Sequence, residues 1–115
     1  MSWDCAFFGT FGAMKGYLYN VTINGDRSCG ADLLYYVEHR LFPEWSAREG
    51  WSGARLLRIP TPEEDGVSVA LQFELESPAP LEGYELGSDP LVARVLEVYG
   101  ERVLFYPTLM EIIGR

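Results

Sequence analysis

The sequence predicts an α+β domain in which two helices cover one face of a four-stranded antiparallel sheet. Residues 17–24 alternate apolar side chains, such as Tyr19 and Val21, with polar ones, such as Asn20. Residues 67–76 repeat this alternation, and a helical pattern separates the two segments. Because successive side chains of a strand point to opposite faces, both segments are predicted to be strands with one buried face.

The first helix is predicted over residues 31–48, after turn chemistry at residues 25–28. Its core stripe has three- and four-residue spacing and consists of Leu34, Val37, Leu41 and Trp45. A second, half-apolar stripe on the other side contains Tyr35, His39 and Phe42. Pro43 removes a backbone donor, so we expect it to kink or end the helix near its last turns.

The next elements are a hairpin and a second helix. Residues 54–59 are predicted to pair with the third strand through a loose acidic loop. A loop at residues 50–53 precedes this hairpin, and a short helical turn is expected over residues 81–86. The second helix starts at the run Ser88-Asp89-Pro90, which offers a capping side chain and an early proline, and it ends at Gly100. Its predicted apolar face consists of Leu91, Val92, Val95, Leu96 and Tyr99.

Residues 103–113 are predicted to be the fourth strand, and Pro107 within it requires a sheet edge or a bulge. The element order is therefore β-α-β-β-α-β, which is the ferredoxin-like arrangement. Right-handed crossovers place both helices on one face and give the spatial strand order 4-1-3-2. The other face then has no helical cover, and it carries Leu18, Asn20, Thr22, Ala70, Gln72 and Glu74.

Composition limits the classes of function. The chain has 115 residues, enough for one domain, and a formal net charge of −8 with only nine Lys and Arg. Nucleic acids and anionic membranes both require a basic surface, so neither is expected as a partner. No apolar run approaches the about 20 residues of a membrane span.

The cysteines, Cys5 and Cys29, have no ligand spacing, and the chain has a single His. No metal site is therefore predicted, and without a glycine-rich phosphate loop no cofactor is predicted either. The expected state is two free thiols in a reducing cytoplasm, although the sequence alone leaves the pairing of the cysteines open.

Residues 1–14 are predicted to be an N-terminal extension of a domain that spans residues 15–115. The extension carries aromatic side chains between glycines without any periodicity. One interpretation makes Met14, just before the first strand, the natural start of the protein. The other makes the extension a hydrophobic arm that packs on a partner subunit.

Five short segments carry a family resemblance: Tyr19-Asn20-Val21-Thr22, Pro43-Glu44, Ala54-Arg55-Leu56-Leu57-Arg58, Leu81-Glu82-x-Tyr84 and Tyr99-Gly100-Glu101-Arg102-Val103-Leu104. In order and spacing they resemble a small uncharacterised bacterial family related to the dimeric α/β-barrel, antibiotic monooxygenase-like proteins. The resemblance implies a homodimer in which two sheets face each other, and it implies no proven activity. The family often has His-x-Pro at the end of the first helix, whereas this chain has Leu41 two residues before Pro43 and its lone His39 earlier.

Three titratable or charged side chains are candidates for a site. His39 is the residue that titrates near neutrality, but a general base needs an orienting partner, and the alternative is a surface or interface histidine. Arg55 and Arg58 lie on opposite faces of one predicted strand. One of them could bind a carboxylate at the open face, and the alternative is an ion pair with an acidic side chain.

Polar side chains at the open face are the remaining candidates. Asn20, Thr22 and Gln72, joined by Tyr106 from the last strand, could line a pocket between two sheets. Related monooxygenases use such side chains to hold an aromatic substrate without a cofactor, and the alternative is polar filling of a dimer interface. The sequence therefore favours a cytoplasmic homodimer with a binding or structural role. The alternative is a cofactor-independent enzyme, a monooxygenase or isomerase that acts on a small hydrophobic or aromatic ligand.

Overall fold

Four antiparallel strands form one sheet in the computed structural model, which describes residues 16–114. The strands are β1 (Tyr17–Gly25), β2 (Ser52–Ile59), β3 (Val67–Leu75) and β4 (Val103–Glu111). The sheet order is β2-β3-β1-β4, which confirms the predicted spatial arrangement. β2 begins two residues before the predicted strand, because a register shift between Ser52 and Arg55 extends its pairing with β3.

Two helices cover one face of this sheet. Helix α1 consists of Gly30–Tyr36, a π turn at Val37–Leu41 and Phe42–Ser46, and helix α2 spans Pro90–Tyr99. Short 3₁₀ turns join the elements at Glu63–Asp65, Ala79–Leu81, Leu86–Ser88 and Gly100–Arg102. The prediction of one helical turn over residues 81–86 is wrong, since two 3₁₀ turns flank an irregular stretch there.

The π turn keeps the core stripe of α1 on one side of the helix. The stripe is fully buried and consists of Leu33, Val37, Leu41 and Trp45, each four residues after the last. An α-helix has about 3.6 residues per turn, so a stripe at intervals of four drifts around it, and one wider turn restores the alignment. Pro43 follows this turn and has no N–H to donate, yet the helix continues to Ser46. The stripe begins at Leu33 and not at the predicted Leu34, which is half-buried.

The core lies between the helices and the alternate residues of the two central strands. Its strand members are at most 5% exposed and include Tyr19, Val21, Ile23, Val69, Leu71, Phe73 and Leu75. Helix α2 contributes Val92 and Val95, whereas Leu96, predicted to be on the apolar face, is 39% exposed.

A cluster of aromatic rings fills the core where the chain leaves α1 and enters α2. Its centre is Trp51, whose ring centroid lies 5.2 to 5.8 Å from those of Tyr19, Trp45, Phe73 and Tyr84. Trp51 is 5% exposed although the sequence placed it in a loop. Ring contacts of this kind add to the free energy gained from burial of the apolar area itself.

Pro107 lies in the middle of β4, which is an edge strand as predicted. Backbone bonds from Asp26 N–H to the Arg102 carbonyl and from Ile112 N–H to the Gly16 carbonyl fix the phase of the β1–β4 ladder. In that phase the even-numbered residues of β4 point their backbone groups at β1, and the odd-numbered ones point away. The nitrogen of Pro107 therefore faces the free edge, where its missing hydrogen breaks no bond within the sheet.

Several sequence predictions fall partly outside the described residues. The extension over residues 1–14 and Cys5 are among them, while Cys29 is a buried free thiol. Within residues 16–114, no helix is long and apolar enough to cross a membrane. The same residues contain no group of three or more His, Cys, Asp or Glu that could hold a metal ion.

Candidate functional site

The face of the sheet opposite the helices, which we call the open face, brings together five of the seven predicted site residues. Asn20 of β1 lies between Gln72 of β3 and Thr108 of β4. Thr22, the next residue on this face, is paired with Tyr106. Arg55 of β2 is paired with Gln72, so it lies in the same row as Asn20. Period-two alternation thus positions these polar side chains side by side, as the sequence analysis expected.

Three of these side chains form a hydrogen-bonded chain, which we call the polar relay. The Nε2 of Gln72 donates to Oδ1 of Asn20 at 3.2 Å, and the Nδ2 of Asn20 donates to Oγ1 of Thr22 at 3.0 Å. The even-numbered residues of β1 direct their backbone bonds to β4, so Asn20 and Gln72 are a non-hydrogen-bonded backbone pair. Side chains approach each other more closely in such pairs, which explains the direct contact.

The relay leaves hydrogen-bonding groups available on the open face. The hydroxyl hydrogen of Thr22 and the side-chain oxygen of Gln72 have no partner among the described residues. Arg55 forms no ion pair with any of residues 16–114. The face can therefore supply amide, hydroxyl and guanidinium groups to a ligand or to a second protein surface.

Large apolar side chains surround the polar relay. They are 39 to 49% exposed and comprise Leu57, Ile59, Leu104, Tyr106 and Met110. The cross-strand pairs place them at the outer strands β2 and β4, with the relay on the two central strands. A large exposed apolar surface marks an interaction site, and here the polar groups lie at its centre instead of at its rim.

Two predicted site residues lie elsewhere. Arg58 is paired with the buried Val69, so it emerges on the helical side at the edge strand β2. His39 lies on the outer side of α1, where its ring stacks against exposed Tyr35 with 4.2 Å between ring centroids. Neither side chain belongs to the open face.

Sequence reasoning missed a second polar arrangement, inside the aromatic cluster. Oδ2 of Asp89 accepts hydrogen bonds from Nε1 of Trp45 at 3.1 Å and from the hydroxyl of Tyr84 at 2.9 Å. The same oxygen lies 2.7 Å from Nη2 of Arg48, and Oδ1 accepts the N–H of Leu91. From the sequence, Asp89 could be predicted only as the cap of α2. Nothing in the spacing indicated that Trp45, Arg48 and Tyr84 also contact it.

Burial and charge tune the titration of this second arrangement. Burial alone would raise the pKa of Asp89, but the hydrogen bonds from Arg48, Leu91 and Tyr84 outweigh it and lower the pKa below its usual value. Burial, with the nearby Asp89 carboxylate, raises the pKa of Tyr19 to about 12. Burial and the bond to Asp89 also raise the pKa of Tyr84 well above its usual range. Both tyrosines therefore remain neutral, and Tyr84 remains a donor to Asp89, which is the behaviour of a structural network that holds two helix ends together.

A family model described as Domain of unknown function (DUF4286) matches residues 16–113. No curated protein sequence matches the chain. Together these findings identify a family but no activity.

Solved structures share the fold at low sequence identity. A candidate antibiotic biosynthesis monooxygenase from Deinococcus radiodurans has a TM-score of 0.61 and 10% identity, with 86% of this chain and 94% of that one covered. A dimeric ferredoxin-like protein from an uncultured marine organism has a TM-score of 0.52 and 14% identity, with coverages of 88% and 98%. A monooxygenase from Streptomyces coelicolor, solved with nanaomycin D, has a TM-score of 0.52 and 18% identity, with coverages of 88% and 90%. These likenesses show a ferredoxin-like fold.

Proposed function

Because the chain belongs to the family described as Domain of unknown function (DUF4286), whose description carries no activity, we propose a function from its geometry: it is a homodimeric binding domain. Two subunits pack open face against open face and form an α/β barrel. The polar relay then lies between the two sheets and contacts a small hydrophobic or aromatic ligand. The observation that carries this proposal is the exposed apolar surface of a sheet whose other face is already covered by helices.

The size of the open face supports a second copy as its occupant. Four strands of about nine residues cover a plane of about 600 Å² at ordinary strand spacing and rise. Side chains make the accessible area larger than this projection, and stable interfaces bury about 800 Å² on each partner. A two-fold arrangement also lets the same apolar side chains meet themselves, which a self-complementary interface requires.

Two further observations support the proposal. A protein with the same fold is described as dimeric ferredoxin-like, which favours self-association for this chain as well. A bacterial cytoplasm is the proposed setting, and the buried free thiol of Cys29 fits a reducing compartment.

Light scattering coupled to size-exclusion chromatography tests the assembly. We expect about 26 kDa at micromolar concentration, twice the 13.0 kDa of one chain. Leu57→Glu, on the open face, should give a monomer because it would bury a charge in the interface. Leu96→Glu is the matched control, since Leu96 lies on α2 and is 39% exposed against 41% for Leu57. A monomeric wild type, or two variants with the same mass, contradicts the proposal.

A cofactor-independent enzyme is the second candidate. It is favoured by Arg55, which has no ion-pair partner among residues 16–114, and by the hydroxyl hydrogen of Thr22, which the relay leaves available; both lie on the same face of the sheet as the relay. Several proteins with this fold are described as monooxygenases, one of them solved with nanaomycin D. The test is oxygen uptake with a panel of phenols and quinols, compared between the wild type and Asn20→Leu. Uptake that is lost in the variant supports a monooxygenase, and no uptake above buffer rejects a monooxygenase.

A further inference from the structure

A groove of about 450 Å³ lies away from the polar relay, between the start of α1 and the far end of the β2–β3 hairpin. Its walls include an apolar set formed by Leu34, Ile59, Pro60 and Val67. This volume is in the range of small-ligand sites, and a mostly apolar wall with a few polar groups is their usual lining.

The backbone shapes the groove by close packing at two glycines. Gly30 begins α1 against Val67, where an added Cβ would lie 2.8 Å from a methyl carbon of that residue. Gly66 has a φ of +93°, and a Cβ there would lie 2.1 Å from the carbonyl oxygen of Gly25. The hairpin end and the helix start are therefore held in one fixed arrangement, so the groove is a preformed feature of the fold.

Two arginines, Arg27 and Arg58, line this groove. Neither guanidinium group forms a hydrogen bond or an ion pair with any of residues 16–114, whereas Arg40 and Arg48 each pair with a carboxylate. The contrast is informative because the chain has a formal net charge of −8, so acidic side chains outnumber basic ones. Two unpaired arginines beside an apolar wall favour an anion that carries an apolar body.

Acidic residues at the rim restrict the charge of that anion. Glu63 lines the groove, and Asp26, Glu64 and Asp65 line the surface next to it together with Arg27. A polyanion such as a nucleic acid would meet these carboxylates and be repelled. A single carboxylate can approach the arginines without a second charge near the rim.

We propose that this groove binds a small monocarboxylate with a short apolar chain. The carboxylate lies between Arg27 and Arg58, where each planar guanidinium can donate two hydrogen bonds. The apolar chain packs along the wall that contains Leu34 and Val67. Neither arginine belongs to the open face, although the groove and that face meet at Ile59.

The test is a two-dimensional amide NMR titration of the full chain with sodium octanoate. We expect saturable shifts confined to groove amides, such as those of Ala31 and Ser68. Arg27→Gln and Arg58→Gln should each weaken binding by about tenfold or more, because each removes charge-assisted hydrogen bonds to the carboxylate. Arg94→Gln removes an exposed arginine of α2 and should leave the affinity unchanged. The neutral octanamide should bind about tenfold more weakly than octanoate for the same reason.

Three results would overturn the proposal. One is unchanged affinity in both groove variants, and another is equal binding of octanamide, which would make the groove merely apolar. The third is shifts spread over all arginines, which indicates unspecific charge attraction. The arginines are exposed, so their replacement leaves the core intact, and the unchanged dispersion of the spectra verifies the fold of each variant.

Discussion

Arg48 places Nη2 2.7 Å from Oδ2 of Asp89, whose side chain has no solvent exposure, while 32% of the Arg48 side chain remains exposed. The pair joins the loop after α1 to the capping residue just before α2. The guanidinium also lies 5.1 Å from the ring centroid of Trp51 and 5.6 Å from that of Tyr84. One ion pair, surrounded by aromatic rings, thus holds the two helices in position over the sheet.

Asp89→Asn should lower the free energy of unfolding by about 3 kcal/mol, because it leaves the Arg48 charge without a partner inside the cluster. We place the value at the low end of the range for buried pairs since Arg48 reaches solvent. Urea unfolding followed by tryptophan fluorescence measures it. Glu44→Gln, which breaks the exposed pair with Arg40, is the control and should change stability by less than about 1 kcal/mol. Equal effects of the two substitutions would refute the buried-pair account.

The same carboxylate makes stability depend on pH in the acid range. The folded-state pKa of Asp89 lies below its ordinary value of 3.8, so its contribution is complete above pH 3.8 and is lost as the pH falls through the folded-state pKa. The stabilities of the wild type and Asp89→Asn should therefore converge in acid. Urea unfolding of both proteins between pH 7 and pH 2 checks this expectation. A difference that stays constant over this interval would contradict it.

Asn20→Leu should lower the free energy of unfolding by about 1–3 kcal/mol, because Gln72 and Thr22 each lose a hydrogen-bond partner. Asn24→Leu is a matched control on the same strand and face, since Asn24 makes no side-chain hydrogen bond with residues 16–114. We expect no loss of stability there. Thermal melting of both variants provides the measurement. A larger loss for Asn24→Leu would show that the relay contributes nothing.

Gly66→Ala should destabilise the domain by about 1–3 kcal/mol from backbone strain alone, since φ +93° with ψ −147° is a region for glycine. The clash with the Gly25 carbonyl adds to this cost. Gly87→Ala is the comparison, because a Cβ at Gly87 has no atom within 4 Å. Calorimetric melting should separate the two variants by several degrees. A melting temperature for Gly66→Ala equal to that of Gly87→Ala would rule out strain at the hairpin end.

The sheet could be predicted because the alternation of apolar and polar side chains shows which face of each central strand is buried. Alternation in β1 and β3 assigns Asn20, Thr22 and Gln72 to one face, and the observed register places them in neighbouring rows. Alternation also separates Arg55 from Arg58. Residues an odd number of positions apart on one strand point to opposite faces, and these two are three positions apart. Local pattern and tertiary position agree in these strands because one face is buried.

The aromatic cluster could be predicted only in part, because Trp51 and Tyr84 come from segments without periodicity. Trp51 and Tyr84 lie outside helices and strands, and Arg48 follows the end of a helix. A loop has no regular repeat from which the direction of a side chain can be predicted. The contacts of these residues with Asp89 are therefore visible only in the folded chain. The π turn was missed for a related reason. Leu33 lies four residues before Val37 and Leu34 lies three before it. Both spacings suit an ordinary α-helix, so the sequence does not show which leucine begins the buried stripe.

Pro107 also limits extension of the sheet by further chains at the β4 edge. An incoming chain that tried to extend the sheet at β4 would find no amide hydrogen at the midpoint of that strand, so a continuous ladder to a neighbour is interrupted. Edge-to-edge stacking, the route to open-ended fibres, is therefore blocked on this side. In the proposed open-face dimer the two-fold contact closes on itself, so with pairing interrupted at β4 no further subunit is added along that edge.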